Sequence, residues 1–222
     1  MLEYEHMGII TDLKLIGLGF NPAEYGKIIA LIDFGNVSKW SNQIHWGIDI
    51  ARLGELLDTF CEEQHFFYGH RKGVITSEQF IMKARTNGFV THTKEVKKIR
   101  HRPDVNELRK MSQTQRAFIK KDQFGYFLTV EKCDFDVEIT LTALRRINDY
   151  DTIILWSGDG DFNALVRYLR KKDKKVIVVS PWEFFSKELQ KNHDVHINPD
   201  RLKMLIGYNK KPATLASRRQ KI

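Results

Sequence analysis

At 222 residues, with 42% hydrophobic and 29% charged side chains, the chain has the composition of one folded domain with appendages and excludes a fibrous or wholly disordered protein. Its two cysteines, Cys61 and Cys133, lie in unrelated segments, which argues against a disulfide framework or a thiolate zinc site and fits a reducing cytoplasm. The net charge of +8 is unevenly placed: residues 94–121 hold 10 Lys and Arg against 3 acids and residues 201–222 hold 7 against none, so the rest is net −6.

The opening Met1-Leu2-Glu3-Tyr4-Glu5-His6 carries acids where a signal peptide carries Lys or Arg. No run approaches the ~18 apolar residues of a membrane span, so neither export nor insertion is expected. Residues 1–26 read as an N-terminal arm or edge addition ending in the turn signal Asn21-Pro22. Gly17-Leu18-Gly19 resembles the start of a dinucleotide loop, but Pro22 stands where the third glycine belongs and no βαβ unit surrounds it.

The main domain is expected over residues 27–206. Ile28 to Asp33 is a buried strand ending in an acid, followed by Phe34-Gly35-Asn36. Ile50, Leu53, Leu56, Leu57 and Phe60 recur at helical spacing, His65 to Tyr68 form a short aromatic strand, Thr76 to Thr86 reads as a helix, and Phe89 to Thr93 alternates like a strand. This βαβαβ order, with right-handed crossovers, makes one side of a doubly wound α/β sheet.

A polar and basic insertion near residues 95–123 then interrupts the order, and a connection this long inside a compact domain is functional or disordered. Val105, Leu108, Met111 and Phe118 suggest a short helix within it, and Tyr126 to Val130 a strand able to form a hairpin with Val96 to Ile99. From Asp136, the residues Val137, Leu141, Leu144 and Ile147 make a helical stripe. A strand at Thr152 to Trp156 follows, then a helix with Phe162, Leu165, Val166 and Leu169 inward, and a strand at Lys175 to Ser180. Residues 207–222 read as a basic, disordered tail.

The stretch Ser157-Gly158-Asp159-Gly160-Asp161-Phe162 places two acids in a glycine turn at the carboxyl end of a parallel strand, where open α/β sheets bind ligands. Two readings stand for it: a carboxylate pair that holds a divalent cation, or a turn whose Asp161 merely caps the next helix. Asp33 ends another strand, and a helix opens among Asp134, Asp136 and Glu138, of which Asp136 is preferred. The carboxyl ends of parallel strands share one sheet edge, so these acids converge if the two strands are neighbours. Carboxylates near a helix N-terminus are also favoured by the dipole alone.

Leu31-Ile32-Asp33-Phe34-Gly35-Asn36, Phe67-Tyr68-Gly69, Gly88-Phe89-Val90, Asp136-Val137 and Ser157-Gly158-Asp159-Gly160-Asp161-Phe162 together resemble, in order and spacing from about residue 28 to 180, the NYN branch of the PIN-like nucleases. The resemblance implies a PIN-like three-layer α/β/α sandwich with a mainly parallel central sheet, and RNA cleavage dependent on Mg²⁺ or Mn²⁺. Carried over by position, it names Asp33, Asp136, Asp159 and Asp161 as catalytic and metal-site acids, with Asn36 and Ser157 in support. Many relatives carry a further acid about six residues into the helix, where this chain has Thr142. That departure sustains a second reading, an RNA-binding module with the nuclease fold and little or no turnover.

Other doubly wound enzymes fit worse. A haloacid-dehalogenase-type phosphatase needs an acid where Gly35 stands, a response-regulator receiver wants adjacent acids after its first strand, and no Gly-x-x-x-x-Gly-Lys-[Ser/Thr] loop is present. His193 and His196 read as a strand edge and not as a metal pair. The basic segments suit a polyanion, with solvated surface as the plain alternative, and Lys97, Lys98, Arg100, Arg102, Arg109 and Lys110 are the expected contacts to single-stranded or structured RNA. A homo-oligomer stays open, and no membrane partner is expected.

Overall fold

A computed structural model gives the fold and describes residues 15–17 and 19–208. Strand β1 (Ile28–Asp33) is followed by α1 (Phe34–Trp40), β2 (Gly47–Ile48), α2 (Ile50–Asp58), β3 (Glu63–His70), α3 (Ile75–Thr86) and β4 (Val90–Glu95). The insertion contributes β5 (Lys97–His101), α4 (Val105–Lys110), α5 (Gln113–Arg116), β6 (Lys120–Asp122) and β7 (Gly125–Lys132). The chain then runs through α6 (Asp136–Arg145), β8 (Thr152–Trp156), α7 (Asn163–Lys171), β9 (Lys175–Val179), α8 (Lys187–Gln190), β10 (Val195–Ile197), α9 (Lys203–Ile206) and β11 (Gly207–Tyr208).

Six strands form a parallel sheet in the order β10-β9-β8-β1-β3-β4. The period of two along β1 explains the layers, because successive side chains enter opposite faces. Ile28, Ala30 and Ile32 join a core with Trp40, Leu53, Leu57 and Phe66 beneath α1, α2 and α3. Ile29 and Leu31 join a second core with Ile139, Ala143, Leu165 and Val166 beneath α6 and α7. Helices on both faces of a sheet buried on both sides make an α/β/α sandwich. Each fully buried Ile or Leu contributes about 1.5–3 kcal/mol, so the central strands dominate the fold's stability.

The chain leaves β1 toward β3 and β4 on one side and returns at β8 to build β9 and β10 on the other. The direction of winding therefore reverses between β1 and β8, and the crevice beyond the carboxyl ends of these strands is the ligand position in such sheets.

One expectation needs revision and one is made more detailed. Of the stripe expected on α6, Leu144 and Ile147 do pack against the second core, but Val137 is 64% and Leu141 41% exposed, while Phe135, Ile139 and Ala143 are buried at spacings of four. Phe135 packs on Phe67 of β3, and that anchor sets which face of the helix turns inward. The insertion holds the short helix and the hairpin expected of it, with a second short helix added. Strands β5, β7 and β6 form a separate antiparallel sheet with Ile99 opposite Val130, as the hairpin reading required. Helices α4 and α5 each begin with a reciprocal capping box, Asp104 with Glu107 and Ser112 with Gln115.

Within residues 1–26, Leu15 and Phe20 are buried in the first core, and Phe20 stacks on Tyr25. Residues 1–14 and the tail from 209 lie outside the described residues.

Candidate metal and catalytic centre

Asp33 is the last residue of β1 and the N-cap of α1. One carboxylate oxygen accepts the Asn36 backbone N–H at 3.2 Å and the other accepts the Ser157 hydroxyl at 3.2 Å. The residue is only 8% exposed. Burial pushes its pKa up despite the two hydrogen bonds and the nearby Lys39 charge, and Asp159 pushes it further.

The parallel register sets Ile32 opposite Trp156, which brings the next residues, Asp33 and Ser157, to the same level of the edge. Ser157 is fully buried; its oxygen donates to Asp33 and accepts the Asp159 N–H at 3.3 Å. It thus links the two acid-bearing strands. Gly158 has no room for a side chain, since a Cβ there would lie 1.9 Å from the Phe184 carbonyl oxygen.

Asp159 is the residue that caps the turn after β8, accepting the Asp161 N–H at 3.2 Å. The capping reading belongs to Asp159 and not to Asp161, which is exposed. A cap uses one carboxylate oxygen, so this role and ligand binding are compatible.

Asp136 is the first residue of α6. Its pKa is pushed up to about 6, first by burial and then by Asp159, Asp134, Asp33 and Asp161. A helix N-terminus should favour the charged form, so burial and four neighbouring carboxylates outweigh the dipole here. The three acids near this helix differ in their partners. Glu138 is paired with Lys94 at 2.6 Å and Asp134 with Lys132 at 3.4 Å, while Asp136 has no cation partner among the described residues.

The Asn36 side-chain oxygen accepts the Trp40 indole N–H at 2.8 Å, which leaves its NH₂ as the end able to meet a ligand. Thr142 bonds back to the Glu138 carbonyl at 2.8 Å and supplies no carboxylate. Lys39 and Lys94 are two residues of this edge that sequence reading missed, and neither belongs to a motif that could have flagged it. Lys94 also donates to the Asp134 carbonyl and lies 5.0 Å above the Phe135 ring.

The donor set is all hard oxygen, as Mg²⁺ or Mn²⁺ requires. Among the described residues, however, no three or more His, Cys, Asp or Glu side chains gather as a finished ligand cage. The acids share one field and one crevice edge without touching a common point. Mg²⁺ keeps several waters and takes few carboxylates, so an open edge of this kind suits it better than a closed cage would. His193 and His196 bond to the carbonyls of Leu189 and Ser180.

The insertion springs from this same edge. It leaves the carboxyl end of β4, and its exit strand β7 ends four residues before Asp136. Of the six cations assigned to it, Lys97, Lys98 and Arg100 lie on β5, Arg102 just beyond, and Arg109 and Lys110 end α4. Arg100 and Arg102 share Asp122 and lie over the Phe127 ring, at 5.0 and 5.8 Å. Lys97, Lys98, Arg109 and Lys110 make no ion pair among the described residues.

Comparison with known proteins places these features. A match to the low amplitude and bright protein LabA of Synechococcus elongatus shows 30% identity over 87 residues, 39% of this chain and 47% of the relative's length. A crystal structure of a protein of unknown function from Vibrio parahaemolyticus has a TM-score of 0.56 at 25% identity, covering 79% of this chain and 95% of that one. The NYN domain model matches residues 27–203, a span that contains both acid-tipped strands, the helix opened by Asp136 and the insertion. The chain belongs to the NYN domain family, within the PIN-like nuclease superfamily.

Proposed function

We propose that this chain is a divalent-metal-dependent endoribonuclease. The observation that carries the reading is the neighbouring of β1 and β8 at the point where the winding reverses, which puts Asp33 and the Ser157–Asp161 turn on one crevice edge facing Asp136. Raised carboxylate pKa values in such a crevice mark a site arranged for something other than stability.

Asp33, Asp136, Asp159 and Asp161 would hold Mg²⁺ or Mn²⁺, directly or through bound water. A divalent cation there supplies an activated water and steadies the charge of a phosphodiester in displacement. The chain's own groups do the rest. Ser157 fixes the Asp33 carboxylate through its hydroxyl, the Asp159 cap shapes the turn, and the Asn36 NH₂ is available to orient a water or a phosphate oxygen. Lys97, Lys98, Arg100, Arg102, Arg109 and Lys110 position the RNA through its phosphates. Among the described residues no helix is long and apolar enough to cross a membrane, and the free thiols Cys61 and Cys133 suit action in the reducing cytoplasm.

The test is cleavage of single-stranded and structured RNA with Mn²⁺ or Mg²⁺, and again with EDTA, by the full chain and by Asp33→Asn. Internal cuts that need metal and Asp33 support the reading. RNA binding without cuts under any metal would favour the binding-module alternative, to which Thr142 lends weight.

A further inference from the structure

The insertion carries a groove of about 600 Å³ lined by Val105, Leu108, Arg109, Arg116, Ile119 and Tyr126. Its floor is apolar and its only charged lining is two arginines. We propose that this groove is a base-stacking subsite for single-stranded nucleic acid, in which Tyr126 stacks an unpaired base and Arg109 and Arg116 hold the flanking phosphates. The inference rests on the proposed ribonuclease function and extends it by assigning a second, non-catalytic contact to the substrate.

Four observations converge on this occupant. Tyr126 is 54% exposed although it lies on a paired strand, with Lys121 directly opposite and its ammonium 5.6 Å from the ring. Val105, at 64% exposed, leaves the groove open from the helix side, and neither α4 nor α5 buries a residue. Arg116 donates to the Arg109 carbonyl at 3.3 Å, which holds the two arginine-bearing helices together, and neither guanidinium has an acid partner among the described residues. Residues 97–132 hold 10 Lys and Arg against 4 acids. An apolar peptide would gain nothing from paired cations, and a duplex would offer phosphates but no free base face. A single strand supplies both an aromatic face and phosphate charge, which is the combination that stacking platforms with basic flanks recognise.

The groove is distinct from the acid edge. Six strand steps separate Tyr126 from Lys132, about 20 Å at 3.3 Å per residue, before the chain reaches Asp136. A strand held in the groove would therefore be cut at a distance from the stacked base.

The experiment measures binding of the full chain to unstructured polyuridylate RNA and to a fully paired RNA hairpin in EDTA, at several salt concentrations. Tyr126→Ala should weaken binding to the single strand roughly 10-fold, the size of a lost stack, with the salt dependence unchanged, while Tyr126→Phe binds as wild type. Arg109→Gln with Arg116→Gln should flatten the log-log salt slope by about 1.4, two contacts at about 0.7 each. Hairpin binding should ignore Tyr126. Wild-type affinity of Tyr126→Ala for the single strand, or equal loss on the hairpin, overturns the subsite. Because Tyr126 is exposed, thermal melting of the variant should match wild type, and a drop would reassign the ring to structure. If the chain cuts RNA and Tyr126→Ala binds normally, only this inference falls; if it never cuts but shows the Tyr126 dependence, the subsite stands and the nuclease reading fails.

Discussion

Ser157, the residue after β8, donates its hydroxyl hydrogen bond to Asp33 of β1 across 3.2 Å, joining residues 124 apart in sequence with neither reachable by more than a trace of solvent. The bond holds the central carboxylate charged against the burial that opposes it. Ser157→Ala should therefore raise the Asp33 pKa further. We expect the acidic limb of the metal-dependent cleavage profile to move to higher pH, and the fold to lose about 1–3 kcal/mol because a buried acceptor loses its donor. Titration of cleavage rate against pH reads the first effect and thermal melting the second. An unmoved limb would reduce Ser157 to packing.

Gly158→Ala tests how the turn between the two acids is held. The added methyl group would meet the Phe184 carbonyl oxygen at 1.9 Å and its carbon at 2.6 Å, and a backbone group cannot swing aside as a side chain can. The segment from Trp182 to Ser186 must shift, together with the bond from the Ser186 N–H to the Gly158 carbonyl at 3.0 Å. A loss of about 3 kcal/mol is expected, at the upper end for overpacking, with cleavage falling more than stability alone explains. Melting within a degree of wild type would show that Phe184 is free to move.

The central strands were legible because their apolar runs are short and continuous and are closed by an acid, as at Asp33, or by a glycine turn, as at Gly158. Ile28–Asp33 and Thr152–Trp156 need no tertiary information to be read as buried strands. Their being neighbours is different: it depends on a crossover that no local pattern states, and the convergence of Asp33 with Asp159 follows only from it. On α6 the pattern misled in part, because Val137 and Leu141 are bulkier than Ala143 yet the anchor at Phe135 decides the inward face. In the insertion Val105, Leu108, Met111 and Phe118 pointed to one short helix where there are two, and the break between them was signalled by the capping boxes at Asp104-x-x-Glu107 and Ser112-x-x-Gln115. Lys39 and Lys94 were invisible as site residues, since a lone lysine gains meaning only from the acid it faces.

The insertion's cations should divide into those available to phosphate and those already spent. Lys97, Lys98 and Lys110 make no ion pair among the described residues, although Lys98 faces Glu131 across the β5-β7 ladder, so replacing all three by Gln should flatten the salt slope of RNA binding by about 2, three contacts at about 0.7 each. Turnover at saturating RNA should hardly change, because uniform binding alters apparent affinity first. Arg102→Gln should lower the slope less and loosen the β5-β7-β6 sheet, since its guanidinium bonds Asp122 at 2.8 Å. Equal slope changes for Arg102→Gln and for Lys98→Gln alone would contradict this division.

The acid edge should make the metal-free protein less stable as pH rises. Asp136 titrates near 6 in the folded chain against an ordinary 3.8, so the native state holds its proton more tightly than the unfolded state does. Its contribution to stability is complete below about pH 4 and is lost as pH rises to about 6, after which the curve flattens; Asp33, also raised, adds in the same direction. Asp136→Asn removes the titrating group, so in EDTA the variant should show a shallower decline and melt above wild type at pH 7. Asp159→Asn should behave likewise at pH 7, because Asn keeps the cap on Asp161 while shedding one of the charges that press on Asp136. With Mn²⁺ the order should invert: wild type gains from binding at the carboxylates, and each variant, short of one ligand, gains less. Cleavage should be lost in both. If either variant melts below wild type in EDTA at pH 7, or gains as much from Mn²⁺, the four acids do not act as a shared cation site and the turn at Asp159 is only a cap.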